Sequence, residues 1–258
     1  MMFNVIKYSL LENLRNKFYL ASIGIILFIV WLSHYSSQIN YNYGNYTMAI
    51  LTFGMYFTKL VAFAFIIFLP VTNLSQEIET GTIYFILSKK IERYKYLVAK
   101  YIAFLLLYLT LLVLSSIALW LLTYVLVKER PEISFKLVYF VYAELLSGAM
   151  VLSLVFFIYT AIRAPIVTAT VSAVTFFFSL MLESAKDIAD RADTIFVKYF
   201  YLFLYYIFPN FRYFNLEKNI VYDKPIDPGY LLAMLAYSAA FSMILLLGSS
   251  LIFKHREL

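Results

Sequence analysis

The chain has 258 residues, of which 63% are hydrophobic, 20% aromatic and 14% charged. Soluble domains carry about 45–50% apolar and about 25% charged residues, so this composition excludes a water-soluble globular domain. A bilayer, by contrast, accepts apolar side chains on every face of a helix. The formal charge of +6 comes from basic residues that flank apolar runs, which is a topology signal and not a nucleic-acid-binding surface. The lack of cysteine excludes disulfides, thiolate metal sites and a cysteine nucleophile.

The first 17 residues form an amphipathic segment. Phe3, Ile6, Leu10 and Leu14 recur at helical spacing, while polar residues such as Glu12 fall on another face. This pattern predicts a helix that lies in the membrane interface and leads into the first span. An ordinary cytoplasmic tail is the alternative interpretation.

Six apolar stretches are long enough to cross a membrane, since a spanning helix needs about 20 residues. They predict an all-α integral membrane protein with a single transmembrane domain over residues 1–258. The spans are 18–36, 47–74, 101–127, 137–162, 166–182 and 230–253. A further apolar run, 194–208, is aromatic, contains Lys198 and stops before Pro209. Because it is short, we expect it to lie in the outer interface within an extracytoplasmic loop, 186–229; a seventh span is the alternative.

Orientation follows from lysine and arginine in the short connections. Basic residues concentrate in the N-terminal tail, in the connection after the second span, in the turn at Arg163 and at the C-terminus, whereas the loop from 38 to 46 has no charge. We therefore expect a multi-pass protein of the cell (inner) membrane with both termini in the cytoplasm. The third loop departs from this rule with Lys128, Arg130 and Lys136.

Two ionisable residues, Lys59 and Glu144, fall well inside predicted spans. Each would cost about 2.5–3.5 kcal/mol at mid-membrane on insertion scales. We expect both in the half nearer the outside, where they either pair with each other or line a polar pathway. The alternative is that Lys59 snorkels and Glu144 lies near the interface.

Metal and nucleotide chemistry find little support along the chain. His34 and His255 lack neighbouring ligands and are interpreted as interfacial residues. The acidic residues from Glu183 onwards favour an amphipathic outer segment, and a site for a hard cation is the alternative. None of the seven glycines stands in a phosphate-binding loop motif. If ATP drives this protein, the ATPase is another chain, and ATP with Mg²⁺ binds there; no cofactor is expected on this chain.

The most informative segment is 76–100, which is too polar to cross the membrane. It begins with Glu77 and Glu79 before a Thr80–Gly81 turn, continues with a short apolar stripe and ends with basic residues. A helix that is apolar on one side and charged at its ends suits docking into a groove on a soluble partner. A simple positive-inside anchor is the alternative.

This segment resembles the signature of ABC-2 type transporter permease subunits, in which a cytoplasmic coupling segment joins the second and third of six spans. The matching positions are Glu77, Glu79, Gly81, Thr82, Leu87, Ser88, Ile91, Arg93 and Lys100, with Thr80 inside the motif. Lys90 departs from the proline that many members carry there. Three further stretches, 12–19, 205–216 and 249–258, are similar to the opening helix, the outer Pro-Asn turn and the basic terminus of the family.

The resemblance implies a function as well as a fold. It implies a permease subunit, itself not an enzyme, that exports a substrate and receives motion through its coupling segment from an ABC ATPase subunit. It also implies a second permease copy or paralogue in the complex. A non-transporting membrane scaffold that transmits ATPase-driven motion to an extracytoplasmic partner is the alternative. An intramembrane enzyme is disfavoured because the spans hold no His or Cys constellation and no paired aspartates.

Overall fold

In a computed structural model of the protein, the chain is helical and has no strand in the part that is described. The described residues are 2–39, 46–82, 92–127, 132–181, 185–192, 194–222 and 224–255. Their elements are α1 (Met2–Leu14), α2 (Lys17–Ile39), α3 (Tyr46–Glu79), α4 (Arg93–Val127), α5 (Glu132–Ile162), α6 (Pro165–Met181), α7 (Ala185–Arg191), α8 (Ile195–Ile207), a 3₁₀ turn (Phe211–Phe214), α9 (Glu217–Val221) and α10 (Pro228–His255).

Five helices, α2, α3, α4, α5 and α10, are long and apolar enough to cross a membrane. They match five of the six predicted spans, and they make the chain a multi-pass α-helical membrane protein. The predicted span 166–182 corresponds to α6, which has 17 residues. Its length of about 26 Å, at about 1.5 Å per residue, is slightly less than a hydrocarbon core of about 30 Å. The segment 194–208 corresponds to α8, whose 13 residues make it shorter still.

The interior of the bundle is built by α3, α4 and α5. About half or more of the apolar window of each is buried, against 17% for α10. Gly148 on α5 lies against the ring of Tyr108 on α4, where an added Cβ would stand 2.3 Å from a ring carbon. The missing side chain therefore lets α4 and α5 approach closely. In contrast, α10 exposes most of its apolar stretch at the outside of the bundle.

The bundle has two ends, which we name the Gly81 end and the Glu217 end. At the Gly81 end, α3 finishes at Glu79 and α4 begins at Arg93, and α1 packs against α4. At the Glu217 end, α9 packs against α3 and α5. A tight turn at Arg163, whose φ is 56°, joins α5 to α6, and Pro165 at the first position of α6 suits its fixed φ.

The helices reach further into the 76–100 segment than the hydropathy pattern predicts. The last residues of α3 include Glu77 and Glu79, and α4 already begins at Arg93 and contains Lys100. Only residues 80–92 therefore connect the two helices. Polar residues at a membrane surface continue a helix as readily as apolar ones, because water and side chains there form hydrogen bonds with the unpaired backbone groups of the helix end.

Candidate functional site

The end of α3 is fixed by Gly81, which adopts a left-handed backbone with φ of 72°. Its N–H donates to the Ile78 carbonyl at 3.2 Å, and the Thr80 N–H donates to the Gln76 carbonyl at 2.9 Å. Glycine is favoured at this position after a helix because it lacks the Cβ that strains left-handed backbone. The Thr80 hydroxyl also lies 2.9 Å from the Thr82 hydroxyl. The structure thus defines where the connecting segment leaves α3.

Replacing Gly81 by alanine is predicted to destabilise the protein by about 1–2 kcal/mol, because an L side chain in left-handed backbone costs that much. The measurement is unfolding of the detergent-solubilised protein by denaturant. Gly24→Ala is the matched control, since it adds the same methyl group to α2 where nothing lies within 4 Å, and it should be neutral or stabilising. Equal stability of the two variants would contradict the left-handed backbone conformation of Gly81.

A buried ion pair joins α3 to α4 directly beneath this turn. The Lys100 ammonium contacts a Glu77 carboxylate oxygen and also donates to Asn73 Oδ1 at 3.1 Å. The Tyr96 hydroxyl donates to the second oxygen of Glu77. Lys100 and Tyr96 are fully buried, and Glu77 is 4% exposed. Asn73, Glu77, Tyr96 and Lys100, which we name the Glu77–Lys100 cluster, therefore hold α3 and α4 together.

Glu12 on α1 lies beside this cluster. Burial raises the pKa of its carboxyl above the ordinary 4.5, the Glu77 carboxylate adds to the rise, and the Lys100 charge and a hydrogen bond with Asn73 oppose it. A carboxyl with a raised pKa binds its proton more tightly in the folded protein, so its contribution to stability falls as pH rises through that window. Ionised Glu12 therefore weakens the folded state at neutral pH.

We predict that Glu12→Gln is more stable than the wild type at neutral pH, because glutamine has no ionisation to oppose. The gain should shrink as pH falls towards 4.5, where Glu12 becomes protonated. The check is the midpoint of unfolding in detergent at a series of pH values for both proteins. Two parallel curves across this range would contradict the prediction.

Arg93, a member of the predicted coupling set, ties α4 to the last turns of α10. Its Nη1 donates to the Phe253 carbonyl at 3.0 Å, and the guanidinium carbon lies 5.9 Å from the centre of the Phe253 ring. A cation near a helix C-terminus also interacts favourably with the helix dipole. Nearby, a hydrogen bond from Lys95 lowers the pKa of the exposed Glu92 carboxyl, and the two groups form an ion pair at 2.8 Å.

The structure brings together only part of the predicted coupling set. Glu77 and Lys100 meet in one cluster, Thr80 and Thr82 contact each other, and the hydroxyl of Ser75 donates to Glu79. Leu87 and Ser88 lie outside the described residues.

Sequence reasoning missed Asn73 and Tyr96. Each stands four residues before a charged member of the cluster, which is the spacing that shares a helix face.

A second buried cluster lies at the Glu217 end. The Lys59 ammonium on α3 is 2.9 Å from Glu144 on α5 and 3.4 Å from Glu217 on α9. Glu144 is 1% exposed, and the Ser147 hydroxyl lies 3.3 Å from its second oxygen. The geometry agrees with the hypothesis that Lys59 and Glu144 pair. Glu217 was missed, because a carboxylate in a polar loop gives no signal of its own.

The Lys59 cluster, consisting of Lys59, Glu144 and Glu217, bridges three elements with one cation and two carboxylates. Along α3 it lies about 27 Å from Glu77, at about 1.5 Å per residue. α3 is therefore held by ionic contacts at two levels, one at its C-terminal end and one near its middle. Removing one partner of a buried ion pair is far more costly than the net contribution of the pair.

The structure describes only part of the acidic segment after Glu183, where a hard-cation site is the alternative. Among the described residues, no three His, Asp or Glu side chains come together as metal ligands do. Glu183 and Asp193 of the acidic outer segment lie outside the described residues.

A scan against protein-family models finds no match for this chain, and a search of curated proteins finds none either. The class is therefore the one that the fold defines, a multi-pass α-helical membrane protein with two buried ionic clusters.

Proposed function

We propose that this chain is the membrane-spanning permease subunit of an ABC exporter, driven by a separate ATPase subunit that docks on residues 80–92. The observation that carries the proposal is the Glu77–Lys100 cluster. It joins the helices on both sides of the docking segment, so a force on that segment acts on α3 and α4 together. The ABC-2 type resemblance of residues 77–100 supplies the class of motor.

The path from motor to membrane runs along α3. A nucleotide-driven change reaches the spans only through contacts that differ between two states. α3 carries the Glu77–Lys100 cluster at its C-terminal end and, about 27 Å further back along the helix at about 1.5 Å per residue, Lys59, which contacts both α5 and α9. A shift of α3 would therefore change contacts in the outer part of the bundle. ATP and Mg²⁺ would bind to the ATPase, and a second permease copy or paralogue would complete the transporter.

We further propose six crossings, with α6 as the fifth. Two observations support it. Arg93 hydrogen bonds to the last turns of α10, so α10 ends at the Gly81 end. Tyr159, near the end of α5, lies beside Ser75 and Glu79 of α3, so the tight turn at Arg163 starts α6 from that same end. α9, however, meets Lys59 at the Glu217 end, and only the six residues 222–227 separate α9 from α10. The chain therefore has to pass from one end to the other within 165–216. An even number of crossings leaves both termini on one side, which we propose is the cytoplasm.

The side of the membrane is testable because the chain has no native cysteine. Thr82→Cys introduces one thiol at the proposed docking segment, and Lys224→Cys introduces one at the opposite end. An impermeant maleimide applied to intact cells should label Lys224→Cys and not Thr82→Cys, and inverted vesicles should reverse the result. Labelling of Thr82→Cys from outside the cell would refute the proposal.

Function is tested by co-expression with an ABC ATPase subunit, which we expect to be encoded near this chain. After reconstitution in vesicles, vanadate-sensitive ATP hydrolysis that depends on this chain is the expected result. Thiol cross-linking from Thr82→Cys should capture the ATPase, and Lys224→Cys is the control that should not. ATP hydrolysis without movement of any candidate substrate would favour the non-transporting scaffold instead.

A further inference from the structure

A groove of about 860 Å³ opens between the start of α4 and the last turns of α10, at the Gly81 end. Its walls are apolar: Val98 comes from α4, and Met243, Leu246, Leu247 and Leu251 come from α10. Met243 and Leu247 are each 64% exposed. In a membrane protein, such side chains meet lipid tails or another helix, not water.

The polar end of the groove carries an excess of positive charge. Arg93 and Lys254 line it together with Glu92, and Glu92 is engaged by Lys95 at 2.8 Å. Among the described residues at this end, the two cations that line the groove and Lys95 beside it outnumber the single carboxylate of Glu92. The hydrogen bond to the Phe253 carbonyl fixes the guanidinium of Arg93 in position. These basic groups stand at the end of α10, where its apolar stretch stops and headgroups are expected.

We propose that this groove binds one anionic glycerophospholipid, with an acyl chain along α10 and its phosphate at Arg93 and Lys254. Apolar walls that end in basic groups at headgroup depth match the two parts of such a lipid. A second copy of the chain fits less well as an occupant. A two-fold contact through this face would bring each basic end close to a like-charged one, which opposes association. The inference does not depend on the ATPase.

The test measures lipid binding to the purified protein in detergent by native mass spectrometry. The probes are phosphatidylglycerol and phosphatidylcholine with identical acyl chains. One phosphatidylglycerol should bind at least about tenfold more tightly than phosphatidylcholine, as expected when two cations near the surface contribute about 1 kcal/mol each. Lys254→Gln should weaken phosphatidylglycerol binding about fivefold, and Lys254→Arg should restore it.

Two further variants separate the groove from general charge and hydrophobicity. Leu247→Trp fills the groove and should abolish tight binding of phosphatidylglycerol, whereas Leu232→Trp, on an exposed position of α10 outside the groove, should not. Lys224→Gln removes the same charge at the opposite end and should leave binding unchanged. Equal affinity for the two lipids, or no effect of Lys254→Gln, would overturn the proposal. So would a dimer that Leu247→Trp disrupts and that binds no lipid in this groove.

Discussion

Lys100→Met is expected to destabilise the protein by about 3–5 kcal/mol, because it leaves the Glu77 carboxylate buried without its cation. Lys100 is fully buried and holds both Glu77 and Asn73, so no solvent or neighbouring cation in the described structure replaces it. The measurement is unfolding of the solubilised protein in increasing sodium dodecyl sulfate. Lys95→Met removes the same charge from the exposed pair with Glu92, and such pairs contribute only about 0–1 kcal/mol.

A double variant separates folding from coupling at this cluster. Glu77→Gln with Lys100→Met removes both charges and should recover much of the lost stability, since replacing a whole buried pair is often close to neutral. If the cluster transmits motion, the double variant should fold yet uncouple ATP hydrolysis from transport. Full transport by this variant would contradict the role that we propose for the pair, and its failure to recover stability would contradict the energetic argument.

Lys59→Met is expected to cost a similar amount, about 3–5 kcal/mol, because two carboxylates from different elements then lack their shared cation. Glu144 is almost completely buried, and Glu217 would face it as a like charge. α9 should therefore separate from α3 and α5. Faster amide hydrogen exchange over residues 211–222, together with loss of transport, is the expected observation. Lys198→Met is the matched control, because Lys198 is exposed on α8.

A double-mutant cycle on Lys59 and Glu144 measures the pair itself. The losses caused by Lys59→Met and Glu144→Gln should be clearly less than additive, with a coupling energy of about 0.5–3 kcal/mol for residues in direct contact. Strictly additive losses, in stability and in transport alike, would discard the pair as a functional unit.

The apolar runs predict the long helices well because each side chain that faces lipid has to be apolar. The helix ends, however, are predicted poorly by the apolar runs. α3 continues from the predicted end at residue 74 to Glu79, and α4 begins eight residues before the predicted start at 101, since hydropathy carries no information about helix where the bundle meets water. The predicted fifth span, 166–182, was the weakest case for a related reason: the corresponding helix α6 has only 17 residues, and whether it crosses depends on where its neighbours end.

The two clusters show which site residues a sequence reveals. Lys59 and Glu144 stand out because a charge inside an apolar run is costly and needs a partner. Glu77 and Lys100 come from a family resemblance, and their helical neighbours Asn73 and Tyr96 could have been found from the four-residue spacing. Glu217 could not, because only the folded chain brings that polar loop back to α3.

The Lys59 cluster has a consequence for biosynthesis. Lys59 leaves the ribosome 158 residues ahead of Glu217, and Glu144 also follows much later. The second span thus reaches the insertion machinery with an uncompensated ammonium that costs about 2.5–3.5 kcal/mol in lipid. A nascent chain that stops before residue 144 should hold this span less firmly in the bilayer than the finished polypeptide does, so translation of the C-terminal half secures the N-terminal half.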